Sequence, residues 1–130
     1  MEAKVEIRDD LKYTKEHEWV RLEGDKATVG ITDYAQKELG DVVFVELPEV
    51  GGEVEQMKSF GTIEAVKAVS DIFSPVSGKI MEVNTKLSSQ SNLINSDPYG
   101  EGWIIQIMIK KPKELDALLS PADYRKLVGA

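Results

Sequence analysis

At 130 residues, 42% of them apolar and 30% charged, the chain has globular composition and the length of one domain, and no apolar run approaches the roughly 20 residues needed to cross a bilayer. A formal net charge of −7, with lysines alternating with acids, opposes a phosphate backbone and argues against nucleic acid as a partner. Without cysteine there is no thiolate nucleophile, disulfide or thiolate metal site, so any redox chemistry has to be imported. The first ten residues, MEAKVEIRDD, have neither the apolar core of a signal peptide nor the Arg-rich, acid-poor character of a transit peptide. That fits a bacterial or archaeal cytoplasmic protein, and equally a mature organellar protein after removal of its leader.

Leu11–Thr14 and Glu18–Leu22 read as short strands, with Glu23-Gly24-Asp25 turning into a third at Lys26–Ile31. Thr32 or Asp33 is placed to cap a two-turn helix over Tyr34–Leu39, and Gly40 is placed to stop it. Val42–Leu47 is apolar at nearly every residue and predicts a strand buried on both faces, ended by Pro48. Val50–Val54 contains Gly51-Gly52 and reads as a turn. Gly61, inside the next β-prone run, suggests a bulge or a close backbone approach. Ser59–Val66 and Ile72–Val83 flank Lys67–Asp71, so that segment is expected to be the loop of a hairpin with Lys67 at its tip. Ser77-Gly78 marks a further turn, with Ile80–Val83 as another strand.

Thr85–Pro98 reads as a polar loop anchored by Leu87, Leu93 and Ile94. Trp103–Ile109 is a core strand closed by Pro112. Leu115, Leu118 and Leu119 fall on one face of a helical pattern. Ser120-Pro121-Ala122-Asp123 gives a second helix its cap, its first-turn proline and its acid before Tyr124, Leu127 and Val128. These helices are expected to pack across a compact β sandwich or barrel.

The residues themselves supply little catalytic chemistry. His17 is the single histidine, without a second histidine or a cysteine to build a metal site or nucleophile pair, and a surface or packing role is the ordinary reading. No serine has a plausible base partner, and Gly51-Gly52 lies in a turn, not in a phosphate cradle. Glu16/Glu18 and Glu64/Asp71 are possible acid/base couples, but among 23 acids most are ordinary solvated charges. Lys67 is one of thirteen lysines, and on physics alone a solvated charge is its default reading.

The pattern around Lys67 is more specific. Glu64-Ala65-Val66-Lys67-Ala68, continuing through Ser70-Asp71-Ile72-Phe73-Ser74-Pro75-Val76-Ser77-Gly78, resembles the modification hairpin of lipoyl and biotinyl carrier domains. Four further blocks resemble, in order, the signature of the glycine cleavage H-protein family: Tyr13–Val20, Val29–Ala35, Leu39–Pro48 and Leu93–Gly100. The likeness runs from about Leu11 to Val128. It implies a mainly β, barrel-sandwich hybrid fold with short added helices, including a C-terminal helical segment, as a single lipoyl-carrier domain over residues 1–130 with its core at about 11–128. It also implies lipoate in amide linkage to Lys67, within a hairpin context of Glu64, Ala65, Val66, Ala68 and Asp71. Ala65 stands where the family has a serine; a small residue is kept, so modification is expected to survive.

The function implied by the resemblance is that of a non-catalytic shuttle. A pyridoxal-phosphate glycine decarboxylase loads the aminomethyl group of glycine onto the lipoyl arm, a tetrahydrofolate-dependent aminomethyltransferase unloads it, and dihydrolipoyl dehydrogenase reoxidises the arm. A lipoate ligase or octanoyltransferase would install the cofactor. An amine at the end of a modified Lys67 could be held by Glu18, Glu38 or Asp71 through charge-assisted hydrogen bonds. The alternatives are an H-like relay that donates lipoate to other lipoyl domains, a lipoyl or biotin domain of a larger enzyme, and an unmodified interaction module. Biotin carriers commonly flank the lysine with methionines, whereas Val66 and Ala68 flank it here.

Overall fold

The computed structural model describes residues 4–130, so the first three of the ten N-terminal residues discussed above lie outside the described residues. In chain order the elements are β1 (Lys12–Tyr13), β2 (Glu18–Glu23), β3 (Lys26–Ile31), α1 (Asp33–Leu39), β4 (Val42–Glu46), β5 (Glu53–Val54), β6 (Ser59–Ala65), β7 (Val69–Phe73) and β8 (Gly78–Val83). A 3-10 turn at Thr85–Ser88, α2 (Leu93–Ser96), β9 (Ile105–Ile109), a 3-10 segment at Pro112–Ala117 and α3 (Pro121–Val128) complete them. The strands form two antiparallel sheets, ordered β1-β2-β3-β9-β8-β5 and β4-β6-β7. The expected mainly β architecture is present.

One apolar core lies between the sheets, with Val20, Val29, Ile80, Ile105 and Ile107 from the larger and Val42, Val45, Ile63 and Ile72 from the smaller. Full burial of each such side chain stabilises the fold by about 1.5–3 kcal/mol. β9 sits between β3 and β8, which agrees with the core strand read at Trp103–Ile109. A second cluster of Leu11, Tyr13, Trp19, Tyr99 and Tyr124 joins the N-terminal strands to α3. Tyr13 and Tyr124 stack there at 4.5 Å, and Trp19 donates its indole N–H to the Pro98 carbonyl at 2.9 Å. Gly30 lies under Trp19, where a Cβ would come within 2.6 Å of the indole.

The helix caps fall where the residue types place them, whereas the turn read over Val50–Val54 is shorter, because Glu53–Val54 forms β5 against β8. Thr32 Oγ1 accepts from the Ala35 N–H at the start of α1, and Ser120 Oγ accepts from the Asp123 N–H at the start of α3. Gly61 is both things expected of it: the β6–β7 register shifts between Ser59 and Gly61, and a Cβ at Gly61 would lie 2.5 Å from the Glu46 carbonyl oxygen.

Five further expectations are corrected. Val42–Leu47 is not buried on both faces, because β4 is an edge strand whose register with β6 shifts between Val42 and Phe44. The extra residue breaks the alternation and leaves Val43 and Phe44 54% and 52% exposed. The hairpin loop is shorter than Lys67–Asp71, since β7 begins at Val69 and Asp71 pairs with Thr62 inside the sheet. Leu115, Leu118 and Leu119 do not share a helix face. Leu118 is extended and Leu119 bridges to Tyr13, which splits the three between the two apolar clusters. Leu127, read as an apolar position of the last helix, is 50% exposed. The Thr85–Pro98 segment carries two helical turns not foreseen, although Leu87 and Ile94 anchor it as expected.

Candidate functional site

Lys67 stands at the tip of the β6–β7 hairpin. The Glu64–Val69 pair is the last rung of the ladder, and the Ala65 N–H donates to the Ala68 carbonyl at 2.8 Å, leaving Val66 and Lys67 as the tip. The mount is tied down from below: the Val66 N–H donates to the Asp41 carbonyl at 3.0 Å. Asn95 in turn holds that segment, accepting from the Val42 N–H at 2.9 Å and donating to the Gly40 carbonyl at 2.9 Å and to Gln36 Oε1 at 3.0 Å. A side chain here projects from a fixed base. Ala65 is buried, so a small residue without a hydroxyl suits the position.

The Lys67 side chain is exposed and runs over Gly40, the residue that ends α1 at φ 78°. A Cβ on Gly40 would lie 3.2 Å from Lys67 Cε, so glycine serves here both for its backbone conformation and for the room it leaves the lysine stem. Among the described residues, no carboxylate forms an ion pair with Lys67.

Next to Gly40 opens a cavity of ≈ 170 Å³ between α1, the hairpin and the segment leading into β2. Ile31, Ala35, Leu39 and Ile63 give it apolar walls, and Glu18, Glu38 and Asp71 all line it. The three carboxylates singled out from the sequence are therefore brought together at one cavity. Glu64 is not among its lining residues; it lies on the outer side of β6. An apolar pocket with a few carboxylates suits a chain that is aliphatic along its length and cationic at its end.

Glu18 differs from the other two. It is 1% exposed, with Oε1 accepting from the Thr14 hydroxyl at 2.5 Å and Oε2 from the Phe73 N–H at 3.2 Å. Burial pushes its carboxyl up to about 8, against the opposing pull of those two donors, and Glu16 adds to the rise. At neutral pH it is largely protonated, and a cation entering the cavity would favour its ionised form. Glu38 and Asp71 are exposed at the cavity edge, and Asp71 Oδ1 accepts from Ser59 Oγ at 3.4 Å.

His17 also lines the cavity. Its Nδ1 and the Tyr124 hydroxyl are 2.9 Å apart, Tyr124 continues to Thr32 Oγ1 at 2.7 Å, and Tyr34 packs against the imidazole at 4.8 Å. Burial lowers the His17 pKa, opposed by Glu16 and Glu38. The packing role expected of His17 is what the structure has, with Tyr34 packed against it. Residues that sequence reasoning missed are Thr14, Asn95 and the apolar cavity walls. Of these only Thr14 left a signal, as a hydroxyl four residues before an acid at the head of a strand.

The glycine cleavage H-protein family model matches residues 11–130. A glycine cleavage system H protein from Symbiobacterium thermophilum is 62% identical over 115 residues, covering 88% of this chain and 90% of that protein. A mitochondrial glycine cleavage system H protein from Oryza sativa subsp. indica is 58% identical over 120 residues, covering 92% and 73%. Among solved structures, the crystal structure of a glycine cleavage system H protein from Mycobacterium marinum matches with a TM-score of 0.85 at 39% identity, over 95% of this chain and 100% of that one. The two-sheet architecture with its short helices is thus the lipoyl-domain-like fold that the sequence implied.

Proposed function

This chain belongs to the glycine cleavage H-protein family, and from that premise we propose that Lys67 Nζ is the amine on which it carries lipoate. The protein is the shuttle of the glycine cleavage system, moving the aminomethyl group of glycine from the pyridoxal-phosphate glycine decarboxylase to the tetrahydrofolate-dependent aminomethyltransferase. The observation that carries the choice of Lys67 is its position: an exposed amine on a braced hairpin tip, its stem passing over Gly40, with a cavity lined by three carboxylates between the same hairpin and α1.

The residues present fit the group. Gly40 leaves a passage that a Cβ would fill, and the cavity combines apolar walls with acidic residues. Lipoate, when bound, supplies a redox-active disulfide on a flexible arm. The chain's own part is to anchor, shelter and present. Lys67 is the anchor, while Ile31, Leu39 and Ile63 exclude water from the arm. Glu18, Glu38 and Asp71 hold its cationic end by charge-assisted hydrogen bonds. Glu18 takes the largest share, because it is the one already desolvated and held by fixed donors.

The protein acts as a carrier without chemistry of its own. Its partners are the decarboxylase, the aminomethyltransferase, dihydrolipoyl dehydrogenase and the lipoate ligase or octanoyltransferase that modifies it. Tethering raises the local concentration of the carried group to about millimolar for each enzyme it visits.

The test is reconstitution of lipoylated protein with glycine decarboxylase, comparing wild type with Glu18→Gln and Asp71→Asn. Each hydrogen bond to a charged group contributes about 1.5–3 kcal/mol, so the amides should lose the loaded aminomethyl group to water roughly tenfold to a hundredfold faster. An unchanged rate would remove these carboxylates from the arm site.

A further inference from the structure

The hairpin that carries Lys67 has two sides, and strand alternation sorts its residues between them. Ile63 and Ser70, paired across β6 and β7, both line the cavity. The next pair toward the tip, Glu64 and Val69, therefore faces the opposite, outer side, and Phe44 of β4 lies opposite Glu64 in the same row. The bulge adds Val43 to this side. Val66 follows at the tip itself.

These four apolar side chains are all more than half exposed: Phe44 52%, Val43 54%, Val69 67% and Val66 75%. Single exposed apolar residues need no explanation, but four together beside a functional lysine mark an interaction surface. Without the bulge, alternation would turn Phe44 inward. The irregularity in β4 is what presents two consecutive large apolar residues to solvent.

The charge around the patch has one sign. β4, β6 and β7 carry no basic residue, Glu46 and Glu64 stand on β4 and β6, and Asp41 precedes β4. The neighbouring cation is Lys67, which loses its charge on acylation. After modification the surface is apolar with an acidic border.

We propose that this outer face is the docking surface for the glycine decarboxylase, fitted to an apolar groove on that enzyme bordered by lysine or arginine. The inference rests on the shuttle reading above. The sidedness of the hairpin selects the loading enzyme. It needs the arm extended away from the cavity, and by gripping the outer face it leaves the inner side free to receive the arm once loaded. An enzyme that unloads the arm has to meet it at the cavity, on the other side of the sheet.

The experiment uses fully lipoylated protein, verified by intact mass, in glycine–bicarbonate exchange with purified decarboxylase across a range of carrier concentrations. The double substitution Val43→Ser/Phe44→Ser removes two central apolar anchors and should raise the KM for the carrier about tenfold or more, with kcat within about twofold. Glu64→Lys reverses the charge of the border. It should raise KM several-fold at low salt, and the difference should fade by about 0.5 M salt, where screening is short-ranged. The result that would overturn the proposal is a wild-type KM for both variants, or a wild-type dimer in sedimentation that the double substitution dissolves, which would make a second copy the occupant. If the serine pair fails to fold, Glu64→Lys decides alone. Lipoylated wild type that is inactive in exchange would overturn the shuttle reading and the docking face with it, whereas active wild type with unaffected variants overturns the docking face only.

Discussion

Replacing Glu18 by glutamine should flatten the pH dependence of stability, and the size of the effect follows from how the carboxyl is buried. Glu18 is 1% exposed, and its pKa is raised from the ordinary 4.5 to about 8. The folded state therefore holds a proton that the unfolded chain releases near pH 4.5. Its contribution to stability is fully present below that pH and is lost as pH rises through 8. At 1.36 kcal/mol per pK unit, the ceiling is about 5 kcal/mol, and relaxation with water entry brings the expected loss to about 2–3 kcal/mol. Glutamine keeps the shape, still accepts from Thr14 or the Phe73 N–H, and has no proton to lose. Urea unfolding at pH 5, 7 and 9 should show wild type falling relative to Glu18→Gln by that amount between the extremes, with equal m-values. Parallel profiles for the two proteins would refute the burial argument for Glu18.

Other substitutions test the frame around the site. Gly30→Ala would drive a methyl to within 2.6 Å of the Trp19 indole and should cost about 1–3 kcal/mol, read as a lower urea midpoint; an unchanged midpoint would contradict that packing. Gly40→Ala combines a positive φ with a contact 3.2 Å from Lys67 Cε. It should destabilise by about 1 kcal/mol and slow acylation of Lys67 by a lipoate ligase, and full-speed modification would deny Gly40 its part in guiding the lysine. Ser120→Ala removes the N-cap of α3 and should cost about 1 kcal/mol, with faster amide exchange in the first turn of that helix.

The elements legible in the sequence are those whose local signal and tertiary role agree. The β2–β3 meander, the Thr32 and Ser120 caps and the Gly61 bulge each rest on a residue type that does one physical job. The failures are tertiary. Val43 and Phe44 are as apolar as a buried strand requires, and nothing in their order reveals that β4 lies at an edge and bulges. Leu115, Leu118 and Leu119 satisfy helical spacing, yet the 3-10 segment stops at Ala117, and the pairing of Leu119 with Tyr13 holds the chain extended from Leu118.

In the site, Lys67 and its three candidate carboxylates were named from residues 18 to 71, but their convergence depends on α1 packing beside the hairpin, which spacing does not encode. The sequence places Asp71 in the loop, whereas it reaches the cavity from within β7. The burial of Glu18 was equally hidden, because an acid at the head of a strand is usually solvated and its partner Phe73 is 55 residues away.

The central claim is that this chain is a carrier loaded at Lys67, and the most direct measurement is intact and peptide mass spectrometry after incubation with lipoate–protein ligase, lipoate and ATP, beside a Lys67→Arg control. A single lipoyl adduct on the peptide containing Lys67, absent from the control, is the predicted result. Wild type that stays bare while a known H protein is modified in parallel, or an adduct that persists in Lys67→Arg, would contradict it.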